Sequence, residues 1–154
     1  MVIARHAMGT GNMKPEIMII GEAPGVADGE RKLERVMGYG PTSIFLRKAL
    51  LHNKLLFKCW FTNLLKCALP NNENISNKPF KKCLKYLETE ISILEPKKIL
   101  LLGKNVQRFI EDQESLYSQI YKKVFRIYHP SYCLYKGIDY KTYGNKIREV
   151  LCQQ

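Results

Sequence analysis

Four short apolar runs, separated by longer stretches with apolar residues at helical spacing, constrain the fold of this chain more than any other feature. The runs cover residues 17–20, 59–62, 98–102 and 124–128, and each is followed by a glycine or a polar residue. Short apolar runs bounded in this way are typical of buried strands, and their alternation with helices is typical of a parallel sheet. We therefore predict one α/β domain over residues 1–154, a three-layer αβα sandwich around a central, mostly parallel four-stranded sheet.

Helices are predicted over residues 43–55, 80–94, 106–110 and 140–151. Residues 80–94 show the pattern clearly, because leucine and isoleucine recur there at intervals of three and four. Ser43 is the predicted N-cap of the first helix, since its hydroxyl suits that position.

The chain is strongly basic, with 25 Lys and Arg against 14 Asp and Glu and a net charge of +11. Such an excess favours a polyanionic partner, because each neutralised phosphate releases condensed counterions, although a merely basic, solvated surface has the same composition. No stretch approaches the roughly 20 apolar residues that span a bilayer, so we expect no membrane partner. The five cysteines, an odd number, and the lack of a secretory signal pattern predict reduced thiols in a cytoplasmic protein. We also expect a monomer.

Three of the predicted strands end in side chains that bear chemistry. Glu22 follows Gly21 after the first strand, Asn63 follows the second, and His129 follows the fourth. In open α/β sheets, ligands bind outside the carboxyl ends of the strands, where loops from different strands converge. We therefore predict that a carboxylate, a carboxamide and an imidazole lie along one edge of the sheet.

Five sequence blocks carry a family resemblance: residues 21–25 (GEAPG), 62–67 (TNLLKC), 83–87 (CLKYL), 96–103 (PKKILLLG) and 129–132 (HPSY). In this order and at similar intervals, they resemble the family 4 uracil-DNA glycosylases of the uracil-DNA glycosylase superfamily, from about residue 16 to residue 151. The resemblance implies a monofunctional DNA glycosylase of base excision repair. Such an enzyme flips uracil out of DNA, hydrolyses its N-glycosidic bond and leaves an abasic site. DNA is then the partner, and the protein is nucleoid-associated.

Asn63 and His129 are the predicted residues for the departing base. A carboxamide offers one acceptor and two donors, so Asn63 can pair with the imide edge of uracil. The resemblance implies that His129 donates a hydrogen bond to a uracil carbonyl oxygen, which a neutral imidazole can do. Pro130 restricts the backbone of His129 and helps to aim its ring. The plainer alternatives are a strand-end asparagine that caps a loop and a partly buried loop histidine.

Glu22 and Asp28 are the predicted acids that act beside His129. Either carboxylate can hold the attacking water, or act as a fixed negative charge near the cationic sugar. The sequence does not choose between these roles. For Asp28 the alternative is a turn residue before Gly29.

The remaining contacts to base and DNA also come from the resemblance. Ala23 and Tyr39 are the predicted base contacts. The family carries a stacking phenylalanine where this chain has Gly38, and the adjacent Tyr39 offers an aromatic face whose stacking is worth about 1–3 kcal/mol. The predicted DNA contacts are Gly25, Ser131, Leu134 and Tyr135. The last three lie in the segment that corresponds to the loop that family members wedge into DNA, a role that apolar side chains also play elsewhere.

The resemblance also implies a [4Fe–4S] cluster bound by four cysteines, and here the chain departs from the family. Cys67 and Cys83 match two of the four ligand positions, but no cysteine precedes Gly21, where the family has its other pair. Two thiolates do not complete such a site. We therefore predict no cluster and no other metal or cofactor, with Cys67 and Cys83 as small buried apolar residues.

Two alternative functions stay open at this point. The changed segment around Gly38 and Tyr39 favours a glycosylase for another base, such as a deaminated purine or a modified pyrimidine. The missing phenylalanine and the missing cysteine pair favour a non-catalytic DNA-binding relative, whereas the presence of Glu22, Asn63 and His129 favours an enzyme.

Overall fold

The computed structural model describes residues 9–24, 40–66 and 77–153, and these residues form a five-stranded sheet flanked by helices. The strands are β1 (Thr10–Gly11), β2 (Ile17–Gly21), β3 (Cys59–Asn63), β4 (Lys98–Leu102) and β5 (Val124–Ile127). They lie in the order β1-β3-β2-β4-β5, and all neighbours are parallel except β1 and β3. The predicted α/β architecture and its four parallel strands are confirmed. β1 is an additional edge strand, which the sequence did not indicate because two residues are too short for an apolar run.

The alternation of side chains along the strands divides the core between the two faces of the sheet. Ile17 and Ile19 of β2 pack into one cluster, whereas Met18 and Ile20 pack into the other. Every residue of β2 is buried, as is usual for the centre of a parallel sheet that is covered on both sides. Double-sided burial is the reason that this strand is apolar throughout.

Six helices cover these faces in the described part of the chain: α1 (Pro41–His52), α2 (Asn77–Leu94), α3 (Lys104–Glu111), α4 (Glu114–Ile120), α5 (Pro130–Lys136) and α6 (Tyr140–Leu151). Buried residues of α1, α5 and α6 join the cluster that contains Ile17. Those of α2, α3 and α4 join the cluster that contains Met18. None of these helices has the length and apolar character needed to cross a membrane.

The predicted bounds of the last helix are confirmed by α6, whereas α1 and α5 differ from the sequence prediction. α1 begins at Pro41, so Ser43 lies inside the helix and does not cap it. Proline suits a first turn because the N–H that it lacks would have no partner there. α5 replaces the predicted DNA-wedging loop. His129 caps this helix, Pro130 begins it and Gly137 ends it in a left-handed conformation, so local capping rather than an apolar stripe produces the helix.

Candidate active site

The carboxyl ends of β2 and β3 lie side by side and bring two of the predicted site residues together. Gly21 and Asn63 are register partners at the last position of the two strands. The pairing continues beyond them, because the Leu64 N–H donates to the Gly21 carbonyl at 2.9 Å and the Leu65 N–H donates to the Glu22 carbonyl at 3.0 Å. Glu22 is therefore held beside the end of β3.

The Asn63 side chain lies against the backbone of Gly21. Its Oδ1 is 2.6 Å from the point that a Cβ on residue 21 would occupy. Asn63 is 8% exposed, so its carboxamide has little room for other rotamers. The amide is thus held at the edge of the sheet in a restricted orientation, which suits the recognition of one fitted group.

Glu22 is partly buried and is oriented from a neighbouring helix. Asn105, in the first turn of α3, donates from Nδ2 to Glu22 Oε2 at 3.4 Å. This contact joins the end of β2 to the start of α3. Sequence reasoning missed Asn105, because a polar residue in a first turn shows no pattern that distinguishes it from a solvated one.

His129 follows β5 at the same edge of the sheet and has a defined tautomer. Its Nδ1 accepts a hydrogen bond from the Ser131 N–H at 3.2 Å, and Ser131 Oγ lies 2.7 Å from the same nitrogen. A backbone N–H can only donate, so Nδ1 carries no proton and the neutral ring carries its proton on Nε2. Burial lowers the pKa of His129 below the ordinary 6.5, although the nearby Glu22 carboxylate opposes the shift. At neutral pH the ring is therefore an uncharged donor at Nε2.

The backbone that carries His129 is fixed by two neighbouring segments. From α6, the Tyr143 hydroxyl donates to the Tyr128 carbonyl at 2.7 Å. From the end of β4, the Gly103 N–H donates to the Ile127 carbonyl at 2.8 Å. A Cβ on Gly103 would lie 3.2 Å from the His129 Cβ, and Gly103 has a φ of 91°, so both space and backbone conformation favour glycine there. Neither Gly103 nor Tyr143 was singled out from the sequence.

The structure places the carboxylate, the carboxamide and the imidazole on one edge of the sheet. Asn63 ends β3, Glu22 follows the adjacent β2, and His129 follows β5, with β4 between β2 and β5. The Glu22 carboxylate acts electrostatically on His129, where it raises the pKa of the imidazole against the larger effect of burial. Four predicted residues lie outside the described ranges: Gly25, Asp28, Tyr39 and Cys67. The roles assigned to all of these residues stay predictions.

The other predicted contacts lie around this edge. Ala23 is partly buried and packs against the cluster that contains Met18. Ser131, Leu134 and Tyr135 belong to α5, where the last two are 45% and 84% exposed. The prediction of a loop for this segment was wrong, because the capped helix uses its backbone hydrogen bonds internally. The helix nevertheless leaves two large side chains in solvent, on the element that His129 caps.

Sequence reasoning also missed a buried polar network beside Asn63. The Lys66 side chain is 2% exposed and pairs with Glu90 of α2 at 2.8 Å. Glu90 lies three residues after Leu87 and four before Leu94, within the apolar stripe of α2. A carboxylate in such a stripe is a signal that could have indicated a buried partner, because a buried charge is costly unless it is paired.

The cysteines that the structure describes do not form a set that fits a four-thiolate cluster. In the part of the chain that the structure describes, no group of three or more His, Cys, Asp or Glu side chains could hold a metal ion. Cys83 packs on one face of the sheet, and its Sγ accepts the Lys66 N–H at 3.5 Å. Cys59 and Cys133 are buried on the opposite face. The sheet therefore separates these two thiols from Cys83.

The fold is that of an α/β protein, and its candidate ligand site lies at the carboxyl ends of the parallel strands. A family model for the uracil DNA glycosylase superfamily matches residues 8–151. The chain belongs to this superfamily, as the five sequence blocks predict.

Several curated relatives are similar to this chain over much of its length. A type-4 uracil-DNA glycosylase of Archaeoglobus fulgidus is 31% identical over an alignment that covers 94% of this chain and 80% of the relative. One of Sulfurisphaera tokodaii is 32% identical over 82% of this chain and 64% of the relative. One of Pyrobaculum aerophilum is 35% identical over 62% of this chain. That match covers 47%, or about half, of the length of the Pyrobaculum aerophilum protein.

Proposed function

We propose that this protein is a monofunctional DNA glycosylase that hydrolyses the N-glycosidic bond of uracil in DNA and leaves an abasic site. One observation carries the proposal: the Nδ1 of His129 is occupied by Ser131, so that Nε2–H is the remaining donor on the edge that also bears Asn63. Membership of the superfamily and the activity named for its relatives support the same conclusion.

Breaking the bond moves its electron pair onto the base, so negative charge builds on uracil while positive charge builds on the sugar. The Nε2–H of His129 stabilises the developing oxyanion at a uracil carbonyl oxygen, and no proton transfer is needed. The carboxamide of Asn63 pairs with the imide edge and distinguishes uracil from bases that lack it. Both contacts require a base that has left the stack.

Glu22 supplies negative charge on the sugar side of the reaction, where positive charge builds and water attacks. Its carboxylate is oriented by Asn105 and lies close enough to His129 to affect the pKa of that imidazole. In the proposed complex Glu22 holds the attacking water or faces the cationic sugar, and Asp28 is the second candidate for either role.

Further contacts to the base and to the flanking DNA complete the proposal. Ala23 and Tyr39 contact the base. The DNA on either side of the flipped nucleotide is contacted by Gly25, Ser131, Leu134 and Tyr135. The exposure of Leu134 and Tyr135 on the helix that His129 caps supports a wedge that fills the vacated position. The net charge of +11 favours a polyanionic substrate. With DNA as substrate, we expect a monomer that works on the nucleoid in the cytoplasm.

We further propose that this activity needs no iron–sulfur cluster. The separation of Cys83 from Cys59 and Cys133 by the sheet supports an incomplete ligand set. The test is the ultraviolet–visible spectrum and iron content of protein purified without oxygen. A visible cluster band with stoichiometric iron would overturn this part of the proposal.

The activity itself is tested with oligonucleotides that carry uracil, hypoxanthine, xanthine or hydroxymethyluracil at one position. We expect release of uracil and an abasic site that alkali cleaves. A glycosylase for another base is the second candidate, favoured by Gly38 in place of the stacking phenylalanine. Release of every tested base except uracil would support that candidate instead. Binding to all four oligonucleotides without release of any base would indicate a non-catalytic relative.

A further inference from the structure

Lys66 is a buried cation, three residues beyond Asn63, whose ammonium group makes a full set of hydrogen bonds. Its Nζ donates to the Thr62 hydroxyl, to the Asn63 carbonyl at 3.0 Å and to Glu90 Oε2 at 2.8 Å. The Thr62 hydroxyl in turn donates to the same Glu90 oxygen at 2.6 Å. The three donors of the ammonium group thus have three acceptors, and the network adjoins the carboxyl end of β3.

Stability of the fold is a poor explanation for this network. Taking two charges out of water has a cost that their attraction often fails to offset, and apolar residues of similar volume leave many proteins equally or more stable. The two residues that precede Lys66 in the chain, Leu64 and Leu65, are apolar and also buried. The network is better explained by what it holds in place.

What it holds is the peptide unit that follows Asn63. The carbonyl of that unit accepts from Lys66 Nζ, and its N–H, which belongs to Leu64, donates to the Gly21 carbonyl at 2.9 Å. Because a peptide unit is planar, fixing it at both ends also fixes the ψ angle of Asn63. The direction of the Asn63 Cα–Cβ bond follows from that angle.

We propose that Lys66, held by Glu90 and Thr62, is a positioning residue for base recognition, which fixes the backbone of Asn63 so that its carboxamide faces the imide edge of the base. This inference rests on the proposed function, because it takes Asn63 as the residue that recognises uracil. Lys66 does not itself face the base, since its side chain is 2% exposed and its donors are all used. It acts through Asn63.

The test is a double-mutant cycle on single-turnover release of uracil. Lys66→Met keeps the length of the side chain and removes the ammonium group. We expect release to slow about 10- to 100-fold, as small displacements of positioning groups do. In the Asn63→Ala background the same substitution is expected to have no further effect, because the side chain through which it acts is absent.

Lys58→Met is the matched control, because Lys58 also pairs with a glutamate, Glu16, but its side chain is half exposed. Lys58 immediately precedes the first residue of β3, at the end of the strand away from Asn63. We expect this variant to release uracil at the wild-type rate. Thermal unfolding of each variant shows that the compared proteins are folded. Should Lys66→Met fail to fold, Thr62→Val takes its place, since it keeps the volume of the side chain and removes one acceptor of the ammonium group; a several-fold loss is then expected.

Slowing that disappears in the Asn63→Ala background supports the proposal. Equal slowing in both backgrounds, or none in either, overturns it, because Lys66 would then not act through Asn63. If Asn63→Ala alone leaves uracil release unchanged, the recognition role of Asn63 fails and this inference fails with it. These results separate a failure of the positioning network from a failure of the proposed function.

Discussion

Asn63 Oδ1 and the backbone of Gly21 are in such close contact that a side chain at residue 21 would displace the carboxamide. The two residues end β2 and β3 at the same level, and a Cβ on Gly21 would lie 2.6 Å from that oxygen. The glycine is needed for space rather than for an unusual backbone conformation, because residue 21 is not among the glycines with positive φ. The absence of a side chain on one strand thus makes room for the carboxamide on the next.

We expect Gly21→Ala to slow uracil release about 100-fold, because the added methyl group displaces the Asn63 carboxamide from its position. Single-turnover release measures the effect, and DNA affinity is expected to change little. Gly40→Ala is the matched control, since nothing lies within 4 Å of a Cβ at that position. Wild-type release by Gly21→Ala would refute the importance of this contact.

Asn63→Asp is expected to shift the choice of base. An ionised carboxylate only accepts hydrogen bonds, whereas the amide also donates, so the variant loses a contact with a uracil carbonyl and gains one with the amino group of cytosine. The ratio of uracil to cytosine release from matched oligonucleotides measures the shift. An unaltered ratio would count against base recognition by Asn63.

His129→Ala is expected to lower the rate of uracil release about 10²- to 10³-fold, the usual loss when one donor to a developing oxyanion is removed. DNA binding should persist, because phosphate contacts elsewhere provide most of the affinity. His52→Ala provides the control, since His52 is exposed on α1 and its ring packs edge-on against Tyr140. Similar rates for the two variants would exclude the proposed role of His129.

The free energy of unfolding is expected to depend on pH through His129. Burial lowers the pKa of this residue below 6.5 in the folded protein, with Glu22 opposing. Below pH 6.5 the unfolded chain therefore binds a proton that the native state does not, and the free energy of unfolding falls as the pH drops until the lowered pKa is passed. Denaturation at several pH values should show a weaker dependence for His129→Gln, and parallel curves for the two proteins would contradict this.

Tyr143→Phe is expected to affect both stability and activity, because its hydroxyl holds the Tyr128 carbonyl next to His129. Leaving that carbonyl without a donor should lower the free energy of unfolding by about 1–3 kcal/mol. Uracil release should slow, though less than in His129→Ala. Tyr121→Phe is the control, since Tyr121 is 52% exposed. Lost stability with an unchanged rate of release would show that Tyr143 does not orient His129.

The sequence by itself determined the four parallel strands, most of the helices and the edge of the sheet that carries the polar residues. Apolar runs such as residues 17–20 indicate buried strands because burial on both faces leaves no polar position, and this information is local. The ends of the runs are local as well, so Glu22, Asn63 and His129 could be placed at the carboxyl ends of strands before their neighbours were known. The sequence blocks predicted the superfamily as well, and four of the five include or follow the carboxyl end of a parallel strand.

Only the tertiary structure decided how these residues are held. Lys66 and Glu90 are 24 residues apart, and Tyr143 reaches Tyr128 from the last helix. Periodicity shows which residues are apolar, but it does not show which polar group meets which across a packed interface. The register of β2 against β3 and the packing of α2 and α6 against the sheet determine those contacts. These contacts fix the carboxamide and the imidazole in place, because a buried polar group needs a hydrogen-bond partner within the folded chain.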